Sequence, residues 1–479
     1  MQITLALPDG DGHLPLQRRL YLALREAILD GRLAEGAALA SSRSLARQLG
    51  VARNTVLAAY DLLAAEGFIE GRQGSATRVT ARQRPSGEVL EGPGPVPPQP
   101  ALPSRALGWS AAPPMMMVRD PSRPFAPGVP DLAAFPHAEW RRVLGRLWRR
   151  PPVELMCGID PLGHPPLRRA IALHVGRHRA VRCTPDQIMV VGGSQQALDL
   201  VARVLIPPGE TVLTEDPCYG GLAGVLRAAG AQAKAIPVDS EGFDPILAER
   251  SCPEARLACV TPSHQFPTGA TMTLSRRLAL ISWASRQGGW IIEDDYDSDF
   301  RHDGPPTASL QGLDRHGRTL HLGTFSKSMF PGLRLGWLIL PPSLVPAFVA
   351  ARRTADMAPA GLTQAAMASF MEEGLFGAHL RRMRTLYGKR RQDLVRIAAR
   401  LGLKVTAGEA GLHAILWLPE DVDEARAVEA ARRHGLAPAP LGVHRVTKGP
   451  PGLILGYGNL AGWSLEEALE RLHSAINSL

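Results

Sequence analysis

Lysine is scarce in this chain. Only 5 of its 54 basic residues are lysines, at 234, 327, 389, 404 and 448, and the rest are arginines. Cysteine is sparse too. The five, at 157, 183, 218, 252 and 259, form no C-x-x-C pair and no framework spacing. An odd, scattered set argues against a disulfide framework and for a reducing compartment. No run of about 18 apolar residues occurs, so no membrane span is expected. Polar and charged residues interrupt the N-terminal positions, which hold no signal-peptide apolar stretch. No internal repeat is visible. These absences predict a soluble, cytosolic protein.

The bulk properties are ordinary. A chain of 479 residues allows roughly two to three domains and a sizeable core. Its 45% hydrophobic and 21% charged residues are those of a globular protein. The formal charge of +9 and the pI near 9.7 fit a polyanion-binding partner. The base composition of a gene produces the same arginine and alanine bias, so the pI carries little weight.

Residues 16–79 read as one compact unit. Leu16, Leu20, Ala23, Leu24 and Ile28 recur at helical spacing, in a helix that stops near Gly31. Ser41-Ser42 caps a second helix through about Leu49, ended by Gly50. A third runs from Arg53 to Glu66. Phe68-Ile69-Glu70 and Thr77-Arg78-Val79 are short strand candidates. Residues 81–118 then change character. Prolines at 85, 93, 95, 97, 98, 100 and 103, with glycines at 87, 92 and 94, make this a linker, semi-extended where the prolines cluster.

From Arg119 the chain alternates. Strand-length apolar runs at Ile188–Val191, Thr211–Thr214, Leu257–Thr261, Trp290–Glu293, Thr319–Leu322 and Gly336–Leu340 are separated by helix-length segments. That is the α/β pattern of a mostly parallel sheet covered by helices. Residues 380–479 predict a smaller α/β subdomain: a long basic helix, strands near Leu412–Leu418 and Leu453–Tyr457, and a terminal helix.

Three loops carry chemistry. Gly192-Gly193-Ser194 stands between a strand and a helix that starts at Gln195, where backbone N–H groups suit a phosphate. A tight turn without a ligand fits the same residues. Trp290-Ile291-Ile292-Glu293-Asp294-Asp295-Tyr296 is an apolar strand running into carboxylates. Alternation puts Ile292, Asp294 and Tyr296 on one face near the carboxyl end, where open α/β sheets bind ligands. Asp295, Asp297 and Asp299 are then expected to face solvent. An acidic turn or a divalent-metal site are the rivals here, and with no second ligand cluster no metal is expected. In Thr324-Phe325-Ser326-Lys327, a lysine sits in apolar, Gly-rich surroundings, which favour the neutral amine. Such an amine forms a Schiff base with an aldehyde, as in proteins that hold pyridoxal phosphate (PLP); a surface lysine is the alternative. One carboxylate at that strand end can keep a pyridine nitrogen protonated, and the tyrosine can bond a phenolic oxygen of the same ring. Thr324, Ser326 and Arg334 can serve a phosphate.

In combination the three loops resemble fold-type I PLP enzymes, the aspartate aminotransferase superfamily. The resemblance implies that Lys327 is the Schiff-base lysine, Asp294 pairs the pyridine nitrogen and Tyr296 bonds the phenolic oxygen. It places Ser194 and Gln195 at the phosphate and stacks Tyr219 on the ring. Thr261-Pro262-Ser263-His264-Gln265-Phe266-Pro267-Thr268-Gly269 resembles the loop beside the cofactor. The N-terminal unit resembles the winged helix-turn-helix of GntR-family repressors, on Ser41-Ser42-Arg43-Ser44-Leu45-Ala46, Leu49-Gly50-Val51, Arg53-Asn54-Thr55-Val56, Ala59-Tyr60 and Ala65-Glu66-Gly67. Arg53, Asn54 and Thr55 open the third helix, the end that meets base edges. Arg43 and the wing residues Arg72 and Gly74 are expected near phosphates.

The whole chain is similar to the MocR subgroup, which joins these two domains by a linker. The expected organisation is a DNA-binding domain over 1–80, a linker over 81–118 and a PLP-binding effector domain over 119–479. The subgroup implies a domain-swapped homodimer on double-stranded DNA, with PLP or an amino compound as effector. Some members control vitamin B6 synthesis. Two positions depart from the aminotransferase pattern. The arginine that binds the substrate carboxylate is replaced by Leu453 or Ile454, with Arg445 or Lys448 as the nearby stand-ins, and an apolar residue makes no bidentate clamp. A tyrosine that reaches the partner's phosphate is replaced by Gly158. The first departure favours a regulator over the alternative, an active aminotransferase with an appended DNA-binding domain.

Overall fold

The computed structural model of the chain describes residues 14–71, 76–80, 106, 120–158, 160–304 and 307–479. Two compact units are present, Met1–Ala101 and Leu102–Leu479, and the division falls inside the proline-rich span. The wing residues Arg72 and Gly74 and all of 81–118 except Ala106 lie outside the described residues.

In the first unit, helix α1 spans Leu16–Leu29. Helix α2 spans Ser42–Leu49. The Ser41 hydroxyl accepts from the Ser44 backbone N–H at 3.2 Å, and Gly50 ends the helix in the left-handed region at φ 65°. Helix α3 spans Arg53–Ala65. Strands β1 (Ile69–Glu70) and β2 (Arg78–Val79) pair antiparallel, Ile69 opposite Val79. Leu20, Leu24, Leu45, Val56, Leu63, Ile69 and Val79 form its core. Each such buried side chain contributes roughly 1.5–3 kcal/mol over exposure. The Tyr60 hydroxyl donates to the Ala40 carbonyl at 2.8 Å and ties α3 to the segment before α2.

The second unit is built on an eight-stranded sheet. Its strands are β3 (Ile188–Val191), β4 (Thr211–Asp216), β5 (Gln232–Asp239), β6 (Gly242–Phe243), β7 (Leu257–Val260), β8 (Trp290–Asp295), β9 (Thr319–Thr324) and β10 (Gly336–Ile339). They lie in the order β3-β10-β9-β8-β7-β4-β5-β6. The pairs from β9 to β5 are parallel, while β10 runs antiparallel to both β3 and β9. Strands β3, β7 and β10 are buried throughout, so they read as continuous apolar runs. Helices used below are α4 (Pro165–Arg179), α5 (Ser194–Leu205) and α6 (Gly220–Ala229).

Strands β4, β8 and β9 each run two residues past their expected ends. The extra residues, Glu215-Asp216, Asp294-Asp295 and Gly323-Thr324, are polar or small but buried. Strand β5 was not expected. Its Gln232–Asp239 stretch is mostly exposed and has no apolar run. A smaller sheet follows, of β11 (Val405–Thr406), β12 (His413–Trp417), β14 (Gly452–Gly456) and β13 (Ala439–Pro440), all antiparallel. The long helix Leu375–Arg400 and the final helix Leu465–Asn477 belong to the same subdomain.

Candidate functional site

Strand register brings the three predicted loops together. Gly336, which opens β10, lies opposite both Val191 at the end of β3 and Thr324 at the end of β9. Asp294 near the end of β8 lies opposite Leu322 of β9. Gly192–Ser194, Thr324–Lys327, Arg334 and Asp294 therefore share one sheet edge.

At that edge the Lys327 amine donates to the Gly128 carbonyl at 2.9 Å. Burial pushes the amine below the usual lysine range, and the carboxylates of Asp297 and Asp294 oppose that shift. Asp294 is 7% exposed, and its Oδ1 is buried with no hydrogen-bond partner among the described residues. Burial pushes its carboxyl up to about 7, with the charges of Asp295, Asp297 and Glu215 adding to the shift. An orphaned carboxylate oxygen at such a depth calls for a donor.

Gly193, at φ 109°, caps α5, and a Cβ there would sit 3.3 Å from Nη2 of Arg334. A guanidinium at a helix N-terminus makes a cradle for a dianion. Thr324 and Ser326 are joined to each other: Ser326 N donates to Thr324 Oγ1 at 3.1 Å, and Thr324 Oγ1 to Ser326 Oγ at 3.0 Å. The Gln195 side chain is turned elsewhere. It donates to the Gly221 carbonyl at 3.1 Å and accepts from the Tyr219 hydroxyl at 3.3 Å. Tyr219, just before α6, has its phenol raised by burial, with Asp294 adding to the shift and Arg334 opposing it. It thus lies within the fields of both. An orphaned carboxylate oxygen, a desolvated amine and a cationic cradle at one edge fit PLP.

The other acidic residues correct the expectation of a solvated face. Asp295 is 8% exposed and accepts from Nε of Arg179, the last residue of α4, at 2.8 Å. Asp297 is 4% exposed and lies 3.0 Å from Nδ1 of His264. Asp299 lies 3.0 Å from Nε2 of His174. Basic groups from packed elements meet these carboxylates instead of water.

The Tyr296 hydroxyl lies 3.0 Å from the same His264 Nδ1. Sequence reasoning did not single out His264 as more than part of a loop, nor His413 at all. Donor atoms of His264, Asp297 and His413 fall within 4.8 Å of one another. Each residue is already engaged by protein: Nδ1 of His264 by Asp297, and Nε2 of His413 by the Pro267 carbonyl at 3.0 Å. Gln265, in the same loop, is spent on structure. Its amide nitrogen donates to Glu215 and to the carbonyls of Pro217 and Phe266, and its oxygen accepts from Thr268.

Leu453 and Ile454 are both 0% exposed, in the apolar layers around β14. Arg445 donates to the Pro450 carbonyl at 2.7 Å, and Lys448 is exposed. Gly158 ends the short helix Val153–Cys157 at φ 135°.

In the first unit, Arg43, Arg53 and Asn54 are exposed and Thr55 is half-buried, with Arg53 and Asn54 opening α3. Nε of Arg53 donates to the Ser42 hydroxyl at 3.3 Å, which links the starts of α2 and α3. An exposed, basic helix start suits a major groove.

Comparison with known proteins matches both units. Residues 155–451 match the family described as aminotransferase class I and II, and residues 16–79 the bacterial regulatory proteins of the gntR family. The chain is 37% identical over 480 residues to the probable rhizopine catabolism regulatory protein MocR of Rhizobium meliloti, covering 98% of this chain and 96% of that one. It is 31% identical over 475 residues to the HTH-type pyridoxine biosynthesis transcriptional regulator PdxR of Corynebacterium glutamicum, covering 98% and 97%. Among solved structures, LysN, an α-aminoadipate aminotransferase of Thermus thermophilus complexed with N-(5'-phosphopyridoxyl)-L-leucine, is similar at 27% identity. It superposes with a TM-score of 0.72, covering 79% of this chain and 97% of that one.

Proposed function

Because this chain belongs to the MocR-type regulators of the GntR family, which join a helix-turn-helix unit to an aminotransferase class I and II domain, we propose that it is a PLP-carrying, DNA-binding transcription regulator whose second unit senses PLP or a small amino compound. The observation that carries this reading is the single sheet edge at which Lys327, the orphaned Oδ1 of Asp294 and the Gly193–Arg334 cradle meet, in a chain that also carries a reading helix with an exposed, basic start.

When bound, PLP supplies an electron-withdrawing ring and an aldehyde carbon that captures amines. The chain's own residues do the rest. Lys327 is the covalent anchor. Asp294 holds the proton on the ring nitrogen. Arg334, Ser194, Gln195 through its backbone N–H, Thr324 and Ser326 hold the phosphate, Tyr219 covers the ring, and Tyr296 meets its phenolic oxygen. Arg53, Asn54 and Thr55 read base edges, and Arg43, Arg72 and Gly74 lie at the DNA backbone. The working form is a cytoplasmic homodimer in which each reading unit lies over the partner's PLP domain.

The apolar Leu453 and Ile454 leave an amino-acid carboxylate without its usual anchor, which favours PLP itself as the signal and regulation over transamination. The name of the relative PdxR points the same way. Such a signal must bind one arrangement of the protein better than another. The test is to record the absorbance of the purified chain with and without PLP, then titrate PLP and a panel of amino acids and amines against operator binding. PLP alone should change DNA affinity or bending. Binding unchanged by PLP but shifted by an amino compound would make that compound the effector. Transamination without operator binding would make the chain an enzyme.

A further inference from the structure

Two side chains meet at one nitrogen of a third. Nδ1 of His264 lies 3.0 and 3.1 Å from the two carboxylate oxygens of Asp297, and 3.0 Å from the Tyr296 hydroxyl. His264 and Asp297 are 2% and 4% exposed. A carboxylate only accepts, so Asp297 keeps the imidazole proton on Nδ1. That nitrogen then has no lone pair for a tyrosine proton. The Tyr296 oxygen can only accept there, and its own proton must go elsewhere. Burial keeps that phenol protonated, pushing it well above its usual range, with Asp297 and Asp294 adding to the effect.

Asp297 meets the same His264 nitrogen as the phenol, which makes it the competing acceptor for the phenol proton. His264 occupies that carboxylate at both oxygens. The imidazole is fixed from its far side by the smaller subdomain. A Cβ on Gly411 would land on Cε1 of His264, and one on Gly408 would lie 2.9 Å from Nε2. Gly411 is itself held, because its carbonyl accepts from the Tyr457 hydroxyl at 2.7 Å and meets Nε2 of His302 at 2.9 Å. The ring of His413, from β12, is 4.9 Å away. The titratable groups around the pair are Asp294 from β8, Glu215 from β4, Lys327 after β9, His302 after β8, and His413 and His444 from the smaller subdomain.

We propose that His264 is a positioning residue for Tyr296: by occupying Asp297 it leaves the Tyr296 proton for the phenolic oxygen of the bound cofactor. This rests on the PLP reading given above. Its consequence is spectroscopic. A donor on the phenolic oxygen weakens that oxygen's hold on the proton it shares with the lysine nitrogen. Losing the donor moves the pH midpoint of the visible band upward. Without His264, Asp297 takes the Tyr296 proton, and the donor is lost.

The experiment is a pH titration of the visible band in the full-length, PLP-loaded protein. His264→Phe should raise the midpoint by about one unit, in the same direction as Tyr296→Phe. His264→Asn, whose amide can still donate to Asp297, should return most of the shift. In a Tyr296→Phe background, His264→Phe should add nothing. If melting curves show that the Phe variant is unfolded, His264→Ala takes its place. A midpoint unmoved by loss of His264, or moved equally with and without the Tyr296 hydroxyl, overturns the inference alone. A wild-type chain with no Lys327-dependent band overturns the cofactor reading, and this inference with it.

Discussion

The amine of Lys327 and the carbonyl of Gly128 are hydrogen-bond partners at 2.9 Å across 199 residues of sequence. Gly128 has φ 74°, and a Cβ there would stand 2.5 Å from the lysine nitrogen. Gly128→Ala should therefore displace the amine and strain the backbone. We expect PLP uptake, followed by absorbance, to weaken about ten-fold or more, with DNA binding by the cofactor-free protein retained.

Lys327→Ala tests the anchor directly. It should abolish both the visible band and borohydride trapping of the cofactor. A variant that keeps both has its anchor elsewhere.

Asp294 makes a prediction about pH. Its folded carboxyl is raised to about 7, so the cofactor-free folded state holds a proton that the unfolded chain releases near pH 4. Stability is therefore lost as pH rises from about 4 through about 7. Asp294→Asn removes the penalty, which reaches at most about 4 kcal/mol above pH 8. The melting temperature of the cofactor-free variant should exceed wild type, by more at pH 8 than at pH 5. The same variant should bind PLP worse. A melting difference that is flat with pH would assign Asp294 an ordinary carboxyl.

On DNA, Arg53→Ala should cost roughly 1–3 kcal/mol on the cognate site and relax its specificity. Arg43→Ala should weaken binding to all sequences and flatten the salt dependence. Normal operator binding by the double variant in a gel-shift titration would exclude this face as the reader.

The reading unit was legible because its signals are local. Ser41 and Gly50 mark the ends of α2 by their own chemistry, and no distant residue is needed to interpret them. The central strands were legible as apolar runs for the same reason. Strand β5 was not, because it is largely exposed and carries Gln232, Lys234 and Asp239. The candidate site was legible as three loops, and the strand order brings them together. What escaped was pairing across the fold. That Asp295 meets Arg179 and Asp297 meets His264 depends on α4 and on the 261–269 loop packing against the end of β8. Strand alternation says which face a carboxylate takes but not what covers that face. The repeated glycines at 408 and 411 were the available sign that something bulky approaches the backbone there.

Strand β10 runs against both of its neighbours, so its first residue, not its last, reaches the ligand edge. The segment Lys327–Arg334 is thereby a closed loop whose neck is fastened by Phe325 N donating to the Leu335 carbonyl at 3.0 Å. An amine stands near one end and a guanidinium at the other. The loop acts as a ruler between the aldehyde and phosphate ends of a single small molecule. Lengthening it by one residue would leave every contact group present and put the two ends out of step.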